Sequence, residues 1–507
     1  MGEFQFLVIL FLICQHQKQR LDFYVQLIYD FTEDKFSEDK FTKTKGGQFM
    51  FVAREKEMQM INNFLSNGGA LLVYGLRRVG KTTLIKKALA DNKLDYVYFE
   101  CQKASEEVNV KLFVDLLADT IGFPKAVFNS FFSIFDYLKQ SYKNHVFVID
   151  EYSYMKQYYL ESKKPETKQY ADTLDSEFQN IIDQTLISNK LIISGSSIHI
   201  MQQLMEYSSP LFGRFNAIIE LKQFSYLDAK KMLPGLSSSD VIAFYSVFGG
   251  SPYVLERLDT SKSLKENICD LVLNESGTLR NHLKNNVINE LESDPDLHDI
   301  LDVIKNGLKK YSEIENQSHI VTSGLLDKRL KKLLELEIIE AKYPIGKEND
   351  KKKKYYQIKD NLLKFYYAFV FRQDNKISLL GENRFYDLNI SPSIKEFISR
   401  RFENIVKDFF SISIKKGLYH DVVDIGSFFT GDSEFDCVLK KEDDTYSIFE
   451  VKYYSKPMKV IEMKKEIGQI KEIKGLNIKE IGFVCTSGFE DKIKGITYLD
   501  TEDLFIE

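Results

Sequence analysis

Residues 70–82 read ALLVYGLRRVGKT, a strand-like run followed by a glycine-containing loop. An apolar run, Ala70–Tyr74, leads into a loop that satisfies G-x-x-x-x-G-K-[ST], and a helical pattern, Thr83–Ala90, follows. Two glycines let the backbone curl so that successive N–H groups face a phosphate, and the helix N-terminus adds its positive end. The pattern therefore predicts a nucleotide-binding loop made by Gly75, Arg77, Arg78, Val79, Gly80, Lys81, Thr82 and Thr83.

Two side chains of this loop are the types that a bound triphosphate requires. Lys81 is expected to reach the β- and γ-phosphate oxygens, and the Thr82 hydroxyl is expected to complete the shell of a magnesium ion. ATP and Mg²⁺ are therefore the predicted cofactors.

A second apolar run, His145–Glu151 (HVFVIDE), ends in two acids. Magnesium beside a triphosphate needs an acidic partner at the carboxyl edge of the sheet. We expect Asp150 to hold a magnesium-bound water and Glu151 to polarise the attacking water. An acid pair at the end of a strand is also a common helix cap, so the catalytic interpretation depends on the loop upstream.

Strand-like apolar runs alternate with helical patterns from Met50 onward. They are Ala70–Tyr74, Tyr96–Phe99, Val146–Ile149, Leu191–Ser194 and Ala217–Leu221. Such alternation predicts a parallel sheet covered by helices. The predicted fold class is multidomain α/β, with a P-loop ATPase core at residues 50–222.

Six motifs occur in order along the stretch from Met50 to about Tyr253. They are FVAREKE at 51–57, GLRRVGKT at 75–82, VIDEYSYM at 148–155, IISGSS at 192–197, SPLFGR at 209–214 and GGSPY at 249–253. In these motifs the chain resembles the archaeal-type ATPases, an AAA+/STAND-like branch of the P-loop ATPases. The resemblance implies that Ser196 contacts the γ-phosphate or the attacking water. It also implies an arginine finger at Arg214, in cis or from another subunit of a homo-oligomer, with an interdomain salt bridge as the alternative of equal weight.

Two further regions follow the ATPase core. Residues 223–293 are helical in pattern and predict a helical lid, while residues 294–372 run helix, short helix, helix and hairpin, the order of a winged helix-turn-helix. Its helix Ser323–Leu336 has an apolar stripe and a basic side, and its hairpin tip carries lysines at 347 and 351–354. Helix and wing together could grip a DNA duplex backbone. The alternatives are solvated charges or a helix that packs on the ATPase core.

A break at Gln373–Asn383 is expected to precede an α/β domain at residues 380–507. Within it, EFDCVLKKEDDTYSIFEVKY at 434–453 predicts a hairpin that turns at Asp443. In that register Asp436 lies opposite Glu450, close enough for both carboxylates to share one divalent cation, and Lys452 points to the same face. The opposite, buried face is expected to carry Phe435, Cys437, Leu439, Phe449 and Val451.

An Asp followed after a gap by E-x-K resembles the signature of the PD-(D/E)XK nuclease superfamily. Two additions match that resemblance: Glu403 as the acid of the helix Ile394–Phe410, and Gln469 in the helix after the E-x-K strand. The usual Pro before the first Asp is replaced by Phe435. The resemblance implies a restriction-endonuclease-like domain that cleaves DNA, with metal on Asp436 and Glu450 and water oriented or deprotonated by Lys452. Binding without cleavage, and a plain salt-bridge ladder, are the alternatives.

The composition of the 507-residue chain limits its other functions. With 69 Lys and Arg residues against 74 Asp and Glu residues, the net charge of -5 excludes a whole-chain basic field, so any contact with a polyanion is local. Five widely spaced cysteines support neither a disulfide framework nor a cysteine zinc site. A reducing, cytoplasmic location is the prediction.

Residues 1–49 form an atypical N-terminal extension. Its apolar run Phe6–Cys14 is too short to span a bilayer, and Phe31–Lys45 is a degenerate five-residue repeat. Translation from Met50 and a membrane-associating tail are two explanations, although a membrane partner is not expected. Three functions remain at this point: an ATPase coupled to a DNA-acting nuclease-like domain, a STAND-type regulatory switch, and a membrane-tethered ATPase.

Overall fold

The computed structural model describes residues 51–285, 291, 294–318, 320, 324–347, 350, 353–430, 433–473 and 475–506. The N-terminal extension 1–49, with its apolar run and its repeat, lies outside these ranges. No helix within them is long and apolar enough to cross a membrane. Four cysteines in these ranges, Cys101, Cys269, Cys437 and Cys485, are buried free thiols.

A five-stranded parallel sheet, in the order β2-β3-β4-β1-β5, forms the ATPase core as predicted. Its strands are β1 (Gly69–Tyr74), β2 (Tyr96–Glu100), β3 (Val146–Asp150), β4 (Lys190–Gly195) and β5 (Ala217–Glu220). The central strands read as continuous apolar runs because helices cover both faces. These helices are α1 (Glu55–Asn67), α2 (Lys81–Asp91), α3 (Glu106–Ile121), α4 (Phe131–Ser141), α5 (Tyr152–Leu160), α6 (Pro165–Thr185) and α7 (Ile198–Gln203). Since parallel strands end at one edge, the segments after β1, β3 and β4 meet there.

The next region is helical, as expected. It comprises α8 (Tyr226–Met232), α9 (Ser238–Phe248), α10 (Pro252–Leu255), α11 (Leu264–Ile268), a π-helical turn (Cys269–Leu273) and α12 (Thr278–Leu283). Serine side chains cap the N-termini of α8, α9 and α11. Residues 286–290 and 292–293 of the predicted lid lie outside the described ranges.

A small antiparallel sheet, in the order β6-β8-β7, accompanies three helices downstream. The elements are α13 (Pro295–Ile304), β6 (Lys309–Lys310), α14 (Tyr311–Ser318), α15 (Leu325–Glu335), β7 (Ile339–Lys342) and β8 (Tyr355–Ile358). The sequence order is therefore as expected, with one added strand, β6.

One residue of the basic side of α15 differs from expectation. Arg329 is half-buried, with its Nε 3.1 Å from Asp294 Oδ2 and its Nη2 paired with Asp296. Arg329 therefore fastens α15 to the start of α13. Of the wing lysines, Lys351 and Lys352 lie outside the described residues.

The segment Gln373–Asn383, where a break before the C-terminal domain is predicted, is largely helical, and the domain boundary there stays a prediction. The elements here are α16 (Asn361–Phe369), α17 (Asp374–Leu380), α18 (Glu382–Phe385), a π-helical turn (Tyr386–Ile390) and α19 (Ile394–Lys415). Asp374 begins α17 and pairs with the buried Arg280 of α12. Tertiary contact stabilises a seven-residue helix that has no clear periodicity of its own.

A mixed five-stranded sheet, in the order β13-β12-β11-β10-β9, forms the C-terminal region. Its elements are β9 (Val422–Thr430), β10 (Ser433–Lys441), β11 (Thr445–Lys452), α20 (Val460–Lys471), β12 (Asn477–Cys485), β13 (Thr497–Leu499) and a 3₁₀ turn (Asp503–Phe505). The strands β9, β10 and β11 are antiparallel neighbours, whereas β11, β12 and β13 run parallel.

The hairpin register agrees with the predicted turn. Cys437 pairs with Phe449 and Lys440 with Tyr446, so both pairs are centred on Asp443. The residues expected on the buried face are all buried. The register in which β10 pairs with β9 shifts between Phe435 and Val438. Phe435 therefore packs in the same apolar cluster as Val438 and Ile448.

The 3₁₀ turn packs on the helical region 278 residues upstream. Tyr226 donates a 2.6 Å hydrogen bond to the Leu504 carbonyl, and Lys230 lies 4.4 Å from the ring centre of Phe505. Ala53–Glu507 form one compact unit. The boundaries between candidate domains inside this unit remain predictions.

Candidate functional site

The loop after β1 needs glycine at two positions. A Cβ atom at Gly75 would lie 2.1 Å from the Leu221 carbonyl oxygen, and Gly80 has a φ of 94°. A cavity of about 350 Å³ opens beside the loop, and we call it the phosphate cavity after the ligand that the loop motif predicts. It is lined by Arg77, Arg78, Gly80, Lys81, Thr82, Thr83 and Glu151, together with Pro252, Tyr253 and Glu256 from the lid. Gly75 and Val79 do not line this cavity.

Lys81 is buried, and its ammonium group is hydrogen-bonded to the backbone of the loop. Its Nζ donates to the carbonyls of Gly75 at 2.9 Å and Leu76 at 3.1 Å. Burial lowers the pKa of Lys81, although Glu151 and Asp150 oppose that shift. A cation held over the loop in this way is placed to meet an anionic ligand.

Asp150, at the end of β3, is held by several donors. The Thr82 hydroxyl lies 3.1 Å from its Oδ2, and Tyr98 donates to the same oxygen. Ser194 and the Glu151 backbone N–H donate to Oδ1, the latter at 2.9 Å. A hydroxyl and a carboxylate side by side at a helix N-terminus are ligands that fit Mg²⁺.

Glu151 and Ser196 contact each other, as the ends of neighbouring strands allow. Ser196 donates to Glu151 Oε2 from its hydroxyl at 2.7 Å and from its backbone N–H at 3.0 Å. Glu151 has a φ of 51°, a conformation that is uncommon for a non-glycine residue. These two hydrogen bonds fix the carboxylate at the wall of the phosphate cavity.

Arg214 lies on the surface of the ATPase core. Its Nε and Nη2 are each 3.4 Å from Asp183 Oδ2 on α6, and Nη1 donates to the Phe212 carbonyl at 3.1 Å. Arg214 is absent from the lining of the phosphate cavity. Both partners of this ion pair belong to the ATPase core, so it is not a pair between domains.

Arg54, which sequence reasoning left without a role, supports the loop. Its Nη2 donates to the Val79 carbonyl at 3.2 Å and to the Lys222 carbonyl at 2.5 Å, and its guanidinium lies 4.5 Å from the Phe224 ring centre. Arg54 lies in the FVAREKE motif, which could have marked it as a functional residue. The motif does not show which backbone carbonyls Arg54 binds.

Tyr253 joins the lid to the loop. Arg78 lies 4.0 Å and Arg257 3.4 Å from the centre of its ring, and Ser251 donates to the Arg78 carbonyl at 3.3 Å. Cation–π contacts of this kind contribute about 0.5–2 kcal/mol each. The helical region after the ATPase core therefore contacts the loop at the mouth of the phosphate cavity.

A second group of acids lies on the β10–β11 hairpin. Asp436 Oδ2 accepts the Val451 backbone N–H at 3.3 Å. Burial raises the pKa of Asp436, and the nearby Glu403 adds to the shift. Glu403 and Asp436 line the same cavity of about 750 Å³, so the structure brings the predicted helical acid to the hairpin.

Glu450 is 5% exposed. Lys452 Nζ lies 2.5 Å from Oε1, whereas Oε2 is buried and accepts no hydrogen bond from the residues that the structure describes. Burial raises the pKa of Glu450, and Asp436 adds to that shift. An orphaned carboxylate oxygen is costly unless something binds it, so Asp436 and Glu450 fit a divalent cation.

Lys452 also has a partner that the sequence interpretation missed. Its Nζ lies 3.7 Å from Glu466 Oε1 on α20, whereas Gln469, the residue singled out in that helix, is exposed. Burial opposes the charge of Lys452, but Glu450 and Glu466 outweigh it and raise its pKa. In the described ranges, no group of three or more His, Cys, Asp or Glu residues is arranged to hold a metal ion.

The parallel sheet, the phosphate-binding loop and the acids after β3 define the class of P-loop ATPases. Residues 51–258 match a family described as an ATPase domain predominantly from Archaea. Residues 366–466 match a family described as archaeal and bacterial proteins of unknown function. The chain is therefore an ATPase that binds and hydrolyses ATP, and its C-terminal region matches a family of unknown function.

Individual proteins also resemble this chain. An uncharacterized protein of Methanocaldococcus jannaschii is 27% identical over 427 residues, which cover 82% of this chain and 90% of that protein. The Walker-type ATPase of Pyrococcus abyssi aligns at 19% identity and a TM-score of 0.48, covering 62% of this chain and 96% of its own. The ORC2 protein of Aeropyrum pernix aligns at 12% identity and a TM-score of 0.43, covering 68% and 99%.

Proposed function

We propose that this ATPase acts on DNA through its C-terminal region, which cleaves phosphodiester bonds under the control of ATP. The observation that carries the proposal is the buried, unpartnered Oε2 of Glu450, beside Asp436 and within reach of Lys452. A divalent cation at these carboxylates would stabilise charge on the scissile phosphate and lower the pKa of a water. Lys452 orients that water from the same face.

The arrangement of elements supports a restriction-endonuclease-like fold. A helix that carries Glu403 is followed by three antiparallel strands, a crossover helix and a parallel strand. Upstream, the helix–strand–helix–helix–hairpin order supports a winged helix-turn-helix, and α8–α12 support a lid on an AAA+-like core. Arg214 acts, in this proposal, as a finger toward a second copy of the chain, since it does not reach its own phosphate cavity.

A specific observation favours the alternative, a STAND-type switch whose C-terminal region binds DNA or protein without cutting. Lys452 neutralises Glu450 at 2.5 Å, and the described residues provide two hairpin carboxylates rather than a larger ligand cluster. In this alternative the acids and the lysine form an ion-pair network only.

Cleavage assays distinguish the two. Single-stranded, blunt duplex and tailed duplex DNA are incubated with the full chain and Mg²⁺ or Mn²⁺, with and without ATP. Asp436→Ala and Glu450→Ala should each abolish cleavage and metal binding by calorimetry while ATP hydrolysis is unchanged. Lys452→Ala should bind metal but lose turnover. Glu442→Ala, an exposed acid at the same turn, is the matched control.

The opposite result is equally clear. A parental protein that binds neither metal at the hairpin and cuts no DNA form has the switch function. Cleavage that survives both carboxylate substitutions would show that another site is responsible.

A further inference from the structure

The cavity beside Asp436 extends between two walls of different origin. One wall is the three-stranded sheet β6-β8-β7, and the other is α19 with the edge strand β9. We call it the basic cleft, after five of its lining residues: Lys309, Lys342, Arg400, Arg401 and Lys407. Three acids, Glu403, Asp408 and Asp436, also line it, so the five basic lining residues outnumber the acidic ones by two.

Arg401 is the strongest sign of an anionic ligand in the basic cleft. It is only 4% exposed, and its guanidinium lies 4.8 Å from the Phe397 ring centre. Its Nε is buried and has no hydrogen-bond partner among the described residues. A buried guanidinium is costly unless an acceptor meets it, and its planar fork matches a phosphate group. Lys407 lines the same cleft, with its Nζ 2.7 Å from the Ser427 hydroxyl.

The two walls are joined, which limits what enters. The Ile345 backbone N–H donates to the Ser427 carbonyl at 2.9 Å, and a Cβ atom at Gly426 would lie 3.1 Å from Ile345 Cβ. Arg400 also donates to the Asn306 carbonyl across the cleft. The base of the wing is therefore attached to β9, so the sheet cannot move away from α19 without breaking these contacts.

The basic cleft has the size of a small-molecule site. Its volume of about 750 Å³ lies within the range that encloses one drug-sized molecule, about 300–1,000 Å³. A short stretch of one nucleic-acid strand is therefore a ligand of suitable size.

Aromatic side chains complete the pattern. Tyr343 and Tyr355 line the sheet wall, on the side that faces the basic residues of α19. Single-stranded nucleic acids are bound by positively charged grooves that follow the backbone and by aromatic rings on which bases stack. Both parts are present in the basic cleft, and Asp436 lies within it.

We infer that the basic cleft binds a single nucleic-acid strand and leads it to Asp436. The phosphates lie at Arg401 and Lys407, and the bases stack on Tyr343 and Tyr355. This inference rests on the proposed function, because it names the strand that the nuclease-like site receives. It makes single strands or unpaired tails, rather than blunt duplexes, the substrate class.

Binding is tested apart from cleavage, with the full chain in EDTA. Fluorescein-labelled 12-mers of thymidylate, of uridylate and of a blunt duplex are titrated by anisotropy. We expect a single strand to bind at least tenfold more tightly than the duplex, and the two homopolymers distinguish DNA from RNA. Tyr343→Ala with Tyr355→Ala should weaken single-strand binding about tenfold or more, because stacking of each base is lost. Tyr343→Phe with Tyr355→Phe should retain most of the affinity for a single strand, because both rings are kept.

Charge variants test the phosphate contacts. Lys407→Ala should weaken binding and reduce the slope of log affinity against log salt by about 0.7, the value for one contact with a single strand. A folded Arg401→Gln protein should show the same two changes. If Arg401→Gln does not fold, Lys407→Ala alone tests the phosphate contacts. Lys395→Ala, an exposed lysine on the same helix, is the matched control and should change neither quantity.

Each outcome decides a separate claim. Equal affinity for the blunt duplex, or tyrosine variants that bind normally, overturns the single-strand inference and leaves DNA cleavage possible. Tight single-strand binding that is lost in the variants, without cleavage in Mg²⁺ or Mn²⁺, supports the inference and overturns the nuclease function. Binding of none of the three probes overturns the single-strand inference and leaves the nuclease function to be decided by the cleavage assays.

Discussion

Lys81 and Glu151 have different contacts at the phosphate cavity, and their substitutions should have different effects. Lys81 is buried on the loop carbonyls, whereas Glu151 is held by Ser196 at the cavity wall. We expect Lys81→Ala to reduce ATP affinity and ATP hydrolysis by about 100-fold or more, because a charge opposite the phosphates is lost. Glu151→Gln should keep ATP affinity and reduce turnover about 100-fold or more, since the base is lost.

Nucleotide titration and phosphate release measure these two quantities separately. Lys87→Ala serves as the control, because Lys87 lies on α2 but forms an exposed pair with Asp91. Hydrolysis at the parental rate by Lys81→Ala would exclude this loop as the ATP site.

Asp436 gives a second prediction at the scale of one residue. Burial and the neighbouring acids raise the pKa of Asp436 and of Glu450 from near 4 to about 7. Between these values the folded chain binds protons that the unfolded chain releases, so the free energy of unfolding falls as the pH rises and stays lower above pH 7. In EDTA, Asp436→Asn should therefore raise Tm at pH 8 by about 2–4 °C and have little effect at pH 4.

Thermal denaturation at the two pH values measures this difference. Glu442→Gln, at the exposed turn, should show no such dependence on pH. Addition of Mn²⁺ should raise Tm of the parental protein at pH 8 and not that of Asp436→Asn. A substitution that lowers Tm equally at both pH values would contradict the assignment of charge repulsion to this pair.

Among elements, the contact between lid and loop is the one on which nucleotide affinity should depend. Tyr253 packs between Arg78 of the loop and Arg257 of the lid. Tyr253→Ala should raise the KM for ATP about 3- to 30-fold, because cation–π contacts of about 0.5–2 kcal/mol are lost. Tyr253→Phe keeps the ring and should stay near the parental KM. An alanine variant with the parental KM would show that the lid does not contribute to binding.

Some elements follow from sequence and others do not, for physical reasons. The strands of the parallel sheet are continuous apolar runs bounded by turns, and the β10–β11 register follows from two strands of alternating pattern around one turn. In contrast, α17 has seven residues, too few to show a helical period, and depends on Arg280. The two-residue strand β6 exists only because β8 pairs with it.

The same limit applies within the sites. Lys81, Asp150, Asp436 and Glu450 belong to local motifs, so their positions in sequence are informative. Glu466 reaches Lys452 only through the packing of α20 on the sheet, and it lies one helical turn before the glutamine that the motif favoured. Arg54 binds carbonyls that are 25 and 168 residues away. Contacts across such separations are set by the tertiary fold rather than by any local pattern.

At the scale of the whole molecule, the contact of the 3₁₀ turn with α8 links the C-terminal region to the helical region that follows the ATPase core. Phe505 is buried against Tyr226 and Lys230, whereas the next residue, Ile506, is 69% exposed. Phe505→Ala should weaken the effect of a bound single strand on ATP affinity, and by reciprocity the effect of ATP on strand affinity by the same factor. Ile506→Ala is the matched control.

Anisotropy titrations of the thymidylate 12-mer, with and without a non-hydrolysable ATP analogue, measure the coupling in each variant. Full coupling in a folded Phe505→Ala protein would assign the communication to another contact.

The hydrogen bond from Tyr226 to the Leu504 carbonyl also has a consequence for biosynthesis. Its two residues are 278 positions apart in sequence. At about 5–20 residues per second, the ribosome makes Leu504 some 14–56 s after Tyr226, long after the P-loop sheet has left the exit tunnel. During that interval the surface of α8 that later receives Phe505 is uncovered on the nascent chain. The ATPase core can therefore fold early, while its attachment to the C-terminal region forms later in synthesis.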